Sequence, residues 1–164
     1  MKTIRFLAII LVSILINSCA ILKPPTIIKN DTLENYKYIY IYPTNSLTSS
    51  SGATYSGQYY SSSKSVNPSD VITGILTKEG FIRIPELKDE LTDQTLIVNY
   101  GESGKRNIAG GLFGYTIEVT IQFISAKSHT IICSCTAEGL GETEADDIRK
   151  AITRCLSGLL SKGN

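Results

Sequence analysis

The sequence has no tryptophan, a single histidine and a single methionine, and its 16 basic and 15 acidic residues nearly cancel. Each scarcity excludes something. One histidine cannot furnish the histidine-rich ligand set of most catalytic zinc sites. The missing basic excess argues against a nucleic-acid groove, and the missing acidic block against a charged interaction tail. No apolar run reaches the roughly 20 residues that a membrane-spanning helix needs. The longest, residues 6–16, carries no charge and one hydroxyl, Ser13, and it follows Lys2 and Arg5. A short apolar run behind a basic start is the profile of a secretory signal peptide.

Immediately after that run, Ile16-Asn17-Ser18-Cys19-Ala20 resembles the lipobox of bacterial lipoproteins. An aliphatic residue stands three before the cysteine and a small one just before it. The resemblance implies that residues 1–18 are removed and that Cys19 is acylated on its thiol and on its new α-amino group. Two or more acyl chains hold a protein on a bilayer at about 0.8 kcal/mol per buried methylene. The expected location is therefore the cell envelope, membrane-anchored by lipid, with the outer membrane favoured. The plainer alternative is an ordinary signal peptide followed by a chance cysteine.

Cleavage at that point takes away Lys2 and Arg5, leaving 14 basic against 15 acidic residues, a net charge near −1. The remaining 146 residues fit one domain, residues 35–164, able to bury roughly two thirds of its unfolded surface without a disulfide. Residues 19–34, with Pro24, Pro25 and Asn30-Asp31, lack sustained periodicity and read as a lipidated tether lifting the domain off the bilayer. Residues 36–42 alternate tyrosine with lysine and isoleucine, which predicts a strand ended by Pro43. Residues 45–66 are rich in Ser, Gly, Thr and Tyr and read as a long mobile loop, too polar to bury.

Asn67-Pro68-Ser69-Asp70 supplies a capping side chain and a first-turn proline. Val71, Ile72, Ile75 and Leu76 follow at helical spacing, and Gly80 closes that helix. Residues 81–84 and 96–98 read as short strands. Tyr115, Ile117, Val119, Ile121 and Phe123 alternate with Thr116, Glu118, Thr120 and Gln122, so one face enters a core and the other meets water. A turn over residues 125–129 leads to another strand, residues 131–138. From Glu144 to Ser161, Ile148, Ala151, Ile152, Cys155, Leu156, Leu159 and Leu160 form one apolar stripe, opened by a Thr143-to-Asp146 arrangement resembling a capping box. The expected fold is α+β: a mainly antiparallel sheet of about five strands with two helices packed on one face.

Lipobox, early strand, the helix ending Thr77-Lys78-Glu79-Gly80-Phe81, and the closing hairpin and helix together resemble small bacterial envelope lipoproteins with an uncharacterised α+β domain. The element order is more distantly similar to accessory lipoproteins of envelope assembly and secretion machines. That resemblance implies binding to other envelope components and transfers no catalytic residue.

Candidate chemistry is sparse. His129 falls in the expected hairpin turn beside Ser125 and Ser128, with no acidic residue next to it to orient a base. Cys133 and Cys135 share a strand face, with Cα atoms roughly 6.6 Å apart. Cys155 lies on the stripe of the last helix. These three are small buried thiols or, in an oxidising compartment, Cys155 joins Cys133 or Cys135. Zinc would need four ligands near one ion, and His129 would sit about 13 Å from Cys133, so no metal or other cofactor is expected. Gly101-Glu102-Ser103-Gly104-Lys105-Arg106 ends like half a phosphate loop but lacks the glycine spacing, the hydroxyl after the lysine and a following helix. It reads as a flexible connection, together with Ala109-Gly110-Gly111.

Tyr38, Tyr40 and Tyr42 project from one strand face, either as an aromatic platform or as half-buried packing with hydroxyls in water. Tyr55, Tyr59 and Tyr60 in the polar segment are the candidate partner-binding residues, and Cys19 is the lipidation site. The expected function is a non-catalytic binding or assembly module, held on the membrane through Cys19, with an envelope protein or glycan as partner and no nucleic acid. The alternative is a small envelope hydrolase working through carboxylates such as Glu118 or Glu138.

Overall fold

A computed structural model describes residues 22–108 and 114–161. The signal segment and Cys19 lie outside the described residues, as do Ala109-Gly110-Gly111. The chain is α+β, and its elements run in order β1 (Thr26–Lys29), β2 (Tyr38–Ile41), β3 (Leu47–Tyr55), β4 (Gln58–Val66), α1 (Pro68–Lys78), β5 (Ile82–Arg83), a 3₁₀ turn (Asp89–Gln94), β6 (Thr95–Asn107), β7 (Tyr115–Ser125), β8 (Ile131–Gly139) and α2 (Glu144–Leu160).

The expected alternation in β7 is realised from Ile117 to Phe123, while Thr116, expected to meet water, is fully buried. Ile117, Val119, Ile121 and Phe123 are fully buried, while Glu118, Thr120 and Gln122 on the other face are half-buried. β7 pairs antiparallel with both β6 and β8. α2 lies across β7 and β8 and buries Ile148, Ala151, Ile152, Cys155, Leu156 and Leu159. Thr143 caps its start by accepting the Asp146 N–H, and three acidic residues occupy its positive first turn. α1 is capped by Asn67, which accepts the Ser69 N–H, and it contributes Ile72 and Leu76 to the same core. Gly80, at φ 95°, ends α1: its N–H reaches the Thr77 carbonyl and that of Phe81 the Leu76 carbonyl, a Schellman arrangement that favours glycine.

The sheet is larger than expected and mixed. Six strands run in the order β1-β8-β7-β6-β2-β5, and β2 pairs parallel with both β5 and β6. The cause is α1, which carries the chain back past the sheet so that β5 and β6 run in the direction of β2.

Three local expectations change with it. Thr26–Lys29, read as tether, pairs with β8 along its outer edge, Thr26 opposite Thr136 and Lys29 opposite Cys133. The segment read as a flexible connection at Gly101 to Arg106 lies within the thirteen-residue β6, with an irregularity in pairing between Glu102 and Gly104. Residues 45–66, read as a loop, form the two-stranded β3-β4 hairpin, closed by Ser56-Gly57 with φ of 49° and 77°. Positive φ at both central residues gives a turn whose twist suits a two-residue hairpin. Backbone pairing holds these strands, and their runs of Ser, Thr and Gly leave no apolar alternation to reveal them.

A disulfide joins Cys135 on β8 to Cys155 on α2, with Cα atoms 5.4 Å apart, and Cys133 remains a buried free thiol. Helix and strand touch so closely at the next level that a side chain at Gly139 would run into the Asp147 carbonyl.

Candidate functional site

Three features stand out beyond the core: a clasp at the start of the described chain, a projecting hairpin and an open groove.

The clasp is built on Glu138, whose side chain is 2% exposed at the end of β8. Arg106, from β6, grips both carboxylate oxygens, Nε to Oε1 at 2.7 Å and a terminal nitrogen to Oε2 at 2.6 Å. The Lys23 backbone N–H donates to the same carboxylate at 3.0 Å, and Lys23 Nζ lies 3.7 Å from it. The Arg106 hydrogen bonds, reinforced by Lys23, hold the Glu138 carboxyl down at about 2, against the opposing effect of burial. Pro24 and Pro25 have no N–H with which to continue the β1-β8 ladder. Arg154 of α2 fills the gap by donating to the carbonyls of Glu138 and Lys23.

The hairpin meets the rest of the domain near its root. Lys64 bridges Asp146 at 2.6 Å and Glu142 at 3.2 Å, Ser49 Oγ accepts the Ala145 N–H, and Arg149 donates to the Ser65 carbonyl. Lys64 and Asp146 each stay charged more firmly for that pairing. Farther out, Tyr59 and Tyr60 are 71% and 59% exposed. The Tyr59 ring lies over Gly52, where any side chain would collide with it, and the Tyr60 hydroxyl donates to Gln58. Tyr55 stands at the strand end opposite Gln58, so all three candidate tyrosines belong to the outer part of the hairpin.

An open groove of about 860 Å³ lies at the other end of β8. Leu33, Tyr36, Phe81 and Leu160 give it apolar surface, and Lys29 and Glu34 charge its rim. The buried thiol of Cys133 also lines it, and burial pushes that thiol up to about 11, leaving it protonated at neutral pH.

His129 is exposed in the 126–129 turn at φ 57°, its N–H bonded to the Ser125 carbonyl, while the Ser125 hydroxyl accepts the Ser128 N–H. Among the described residues no three His, Cys, Asp or Glu side chains cluster as metal ligands. Tyr40 and Tyr42 pack edge to face at 5.3 Å with Tyr42 half exposed, and the Lys37 amine lies over the Tyr38 ring. Glu118 stands opposite Glu138 in the β7-β8 register and accepts the Ser103 hydroxyl at 2.9 Å. A general acid needs a proton at working pH; Glu138, held near 2, is ionised there. Sequence reasoning missed Lys23, Arg106 and Arg154. The available signal was a β-branched run, Thr26-Ile27-Ile28, directly behind two prolines, which is where an edge strand begins.

No protein-family model and no curated protein matches the chain. Two solved structures of PelC dodecamers from Paraburkholderia phytofirmans, one a point variant, are similar at TM-score 0.49 and 14% identity. They cover 85% and 84% of this chain and 98% of theirs. Similarity of this degree assigns no function to the chain.

Proposed function

We propose that the protein is a cell-envelope lipoprotein, anchored through lipid on Cys19 in the outer membrane, that acts as a non-catalytic binding or assembly accessory. Support for the anchor is the basic start, short apolar run and lipobox. Support for the binding role is the hairpin. A two-stranded hairpin is at best marginally stable in water by itself, and this one is pinned to the domain near its root by Ser49, Lys64 and Ser65. Beyond that root it offers open strand edges, which accept added strands, and the large amphipathic surfaces of Tyr59 and Tyr60, which bind protein or glycan with few torsions to freeze.

Replacing Tyr55, Tyr59 and Tyr60 with serine is expected to leave melting unchanged while reducing, at least fivefold, the envelope component crosslinked to the protein in intact cells. Undiminished crosslinking would make the hairpin a spacer and move the binding surface elsewhere. The carboxylate hydrolase reading gains no support from Glu138, whose charge is committed to Arg106.

A further inference from the structure

Resting on the lipid-anchor reading, we propose that the clasp at Glu138 sets the domain directly on the bilayer, with Lys23, Arg106 and Arg154 facing anionic phospholipid headgroups. The distance is fixed by the chain itself. Lys23 is tied at its N–H by the Glu138 carboxylate and at its carbonyl by Arg154, and β1 then runs down the sheet edge. Only four peptide steps separate Cys19 from that fixed point. At full extension they span roughly 14 Å. A free tether ending near residue 34 would reach several times farther, so docking of Lys23 and β1 decides between a domain lifted from the membrane and one resting on it.

The chemistry of the docked end suits a headgroup layer. Lys23 and Arg106 hold the Glu138 carboxylate, and a third cation, Arg154, donates to the backbone carbonyls of Glu138 and Lys23. Glu118 stands next to Glu138 on the sheet, and Lys105 close by is neutralised by Glu144 at 2.6 Å. Lys23 and Arg106 keep 63% and 37% of their side-chain surface in solvent. Against Glu138 and Glu118 the three cations leave a surplus of one positive charge, and a net positive patch within a short tether of the acyl chains is drawn to anionic lipid over about a Debye length, roughly 8 Å. The turn at residues 126–129 lies at the other end of β8, its nearest residue, His129, about 30 Å from Glu138 along the extended chain.

The test uses the acylated full-length product in vesicles of phosphatidylethanolamine and phosphatidylglycerol, the latter carrying a photoactivatable headgroup, with adducts mapped by mass spectrometry. Adducts are expected on peptides containing Lys23, Arg106 and Arg154 at least tenfold above those containing residues 126–129. Inserting ten Gly and Ser residues after Ala20, or making Lys23→Gln with Arg106→Gln, is expected to lower the clasp adducts at least threefold, with acylation intact. Equal or greater labelling of the 126–129 turn, or no effect of either change, overturns the proposal while leaving the lipoprotein reading standing. A Cys19 peptide without acyl mass overturns both.

Discussion

Glu138→Gln perturbs one buried charge and keeps the shape of the side chain. In the folded protein the carboxyl titrates at about 2, against an ordinary value of 4.5, because Arg106 and then Lys23 favour its charged form. At 1.36 kcal/mol for each tenfold change in proton affinity, that difference corresponds to about 3 kcal/mol. Arg106 and Lys23 are 37% and 63% exposed, so screening reduces it to about 2 kcal/mol. The sign follows from a lowered folded value. Above about pH 4.5 the carboxylate is charged in both states and the full contribution is present. As pH falls the unfolded chain takes up the proton first, and the contribution vanishes once the folded carboxyl protonates near 2. The glutamine variant lacks this increment at every pH. In urea unfolding followed by circular dichroism, it should be less stable than the parent by about 2 kcal/mol at pH 7. The gap should shrink below about 1 kcal/mol at pH 3, because the other carboxylates titrate alike in both proteins. A gap that stays constant from pH 7 to pH 3, or no gap at pH 7, would refute the clasp as an electrostatic device.

Three further outcomes are expected. Cys19→Ser should abolish acyl labelling and shift the protein from the membrane to the soluble fraction, since no helix among the described residues is long and apolar enough to cross a bilayer; continued sedimentation with membranes would count against the anchor. Leu156→Asp should prevent cooperative folding, because Leu156 is fully buried against the sheet and an unpaired charge there has no partner; a melting curve like the parent's would contradict the packing of α2. Cys155→Ser should cost about 3 kcal/mol in oxidising buffer, the chain-entropy value for a crosslink between residues 20 apart, and should erase the stability difference between oxidised and reduced protein.

Local pattern alone determined α2, with its capped start and apolar stripe, the alternation of β7, and α1 ending at Gly80. In each, the residues that report the element are buried in the core or packed against it, so period and burial coincide within a few turns or pleats. Partners were a different matter. Nothing near Tyr38 says that β2 will run parallel to β6, because direction depends on where α1 returns the chain. Cys133 and Cys135 occupy the same face of β8, and only the lie of α2 puts Cys155 opposite the second. The Ser-rich hairpin has no apolar contrast for its register to show, and its Ser56-Gly57 turn was its one local signature. Thr26 to Lys29 is an edge strand because β8 offers it an open ladder. Glu138 became the centre of a clasp because β6, α2 and Lys23 converge on it from separations of 16 to 115 residues. Pairings at such separations follow from the closure of the whole chain, which no window of sequence contains.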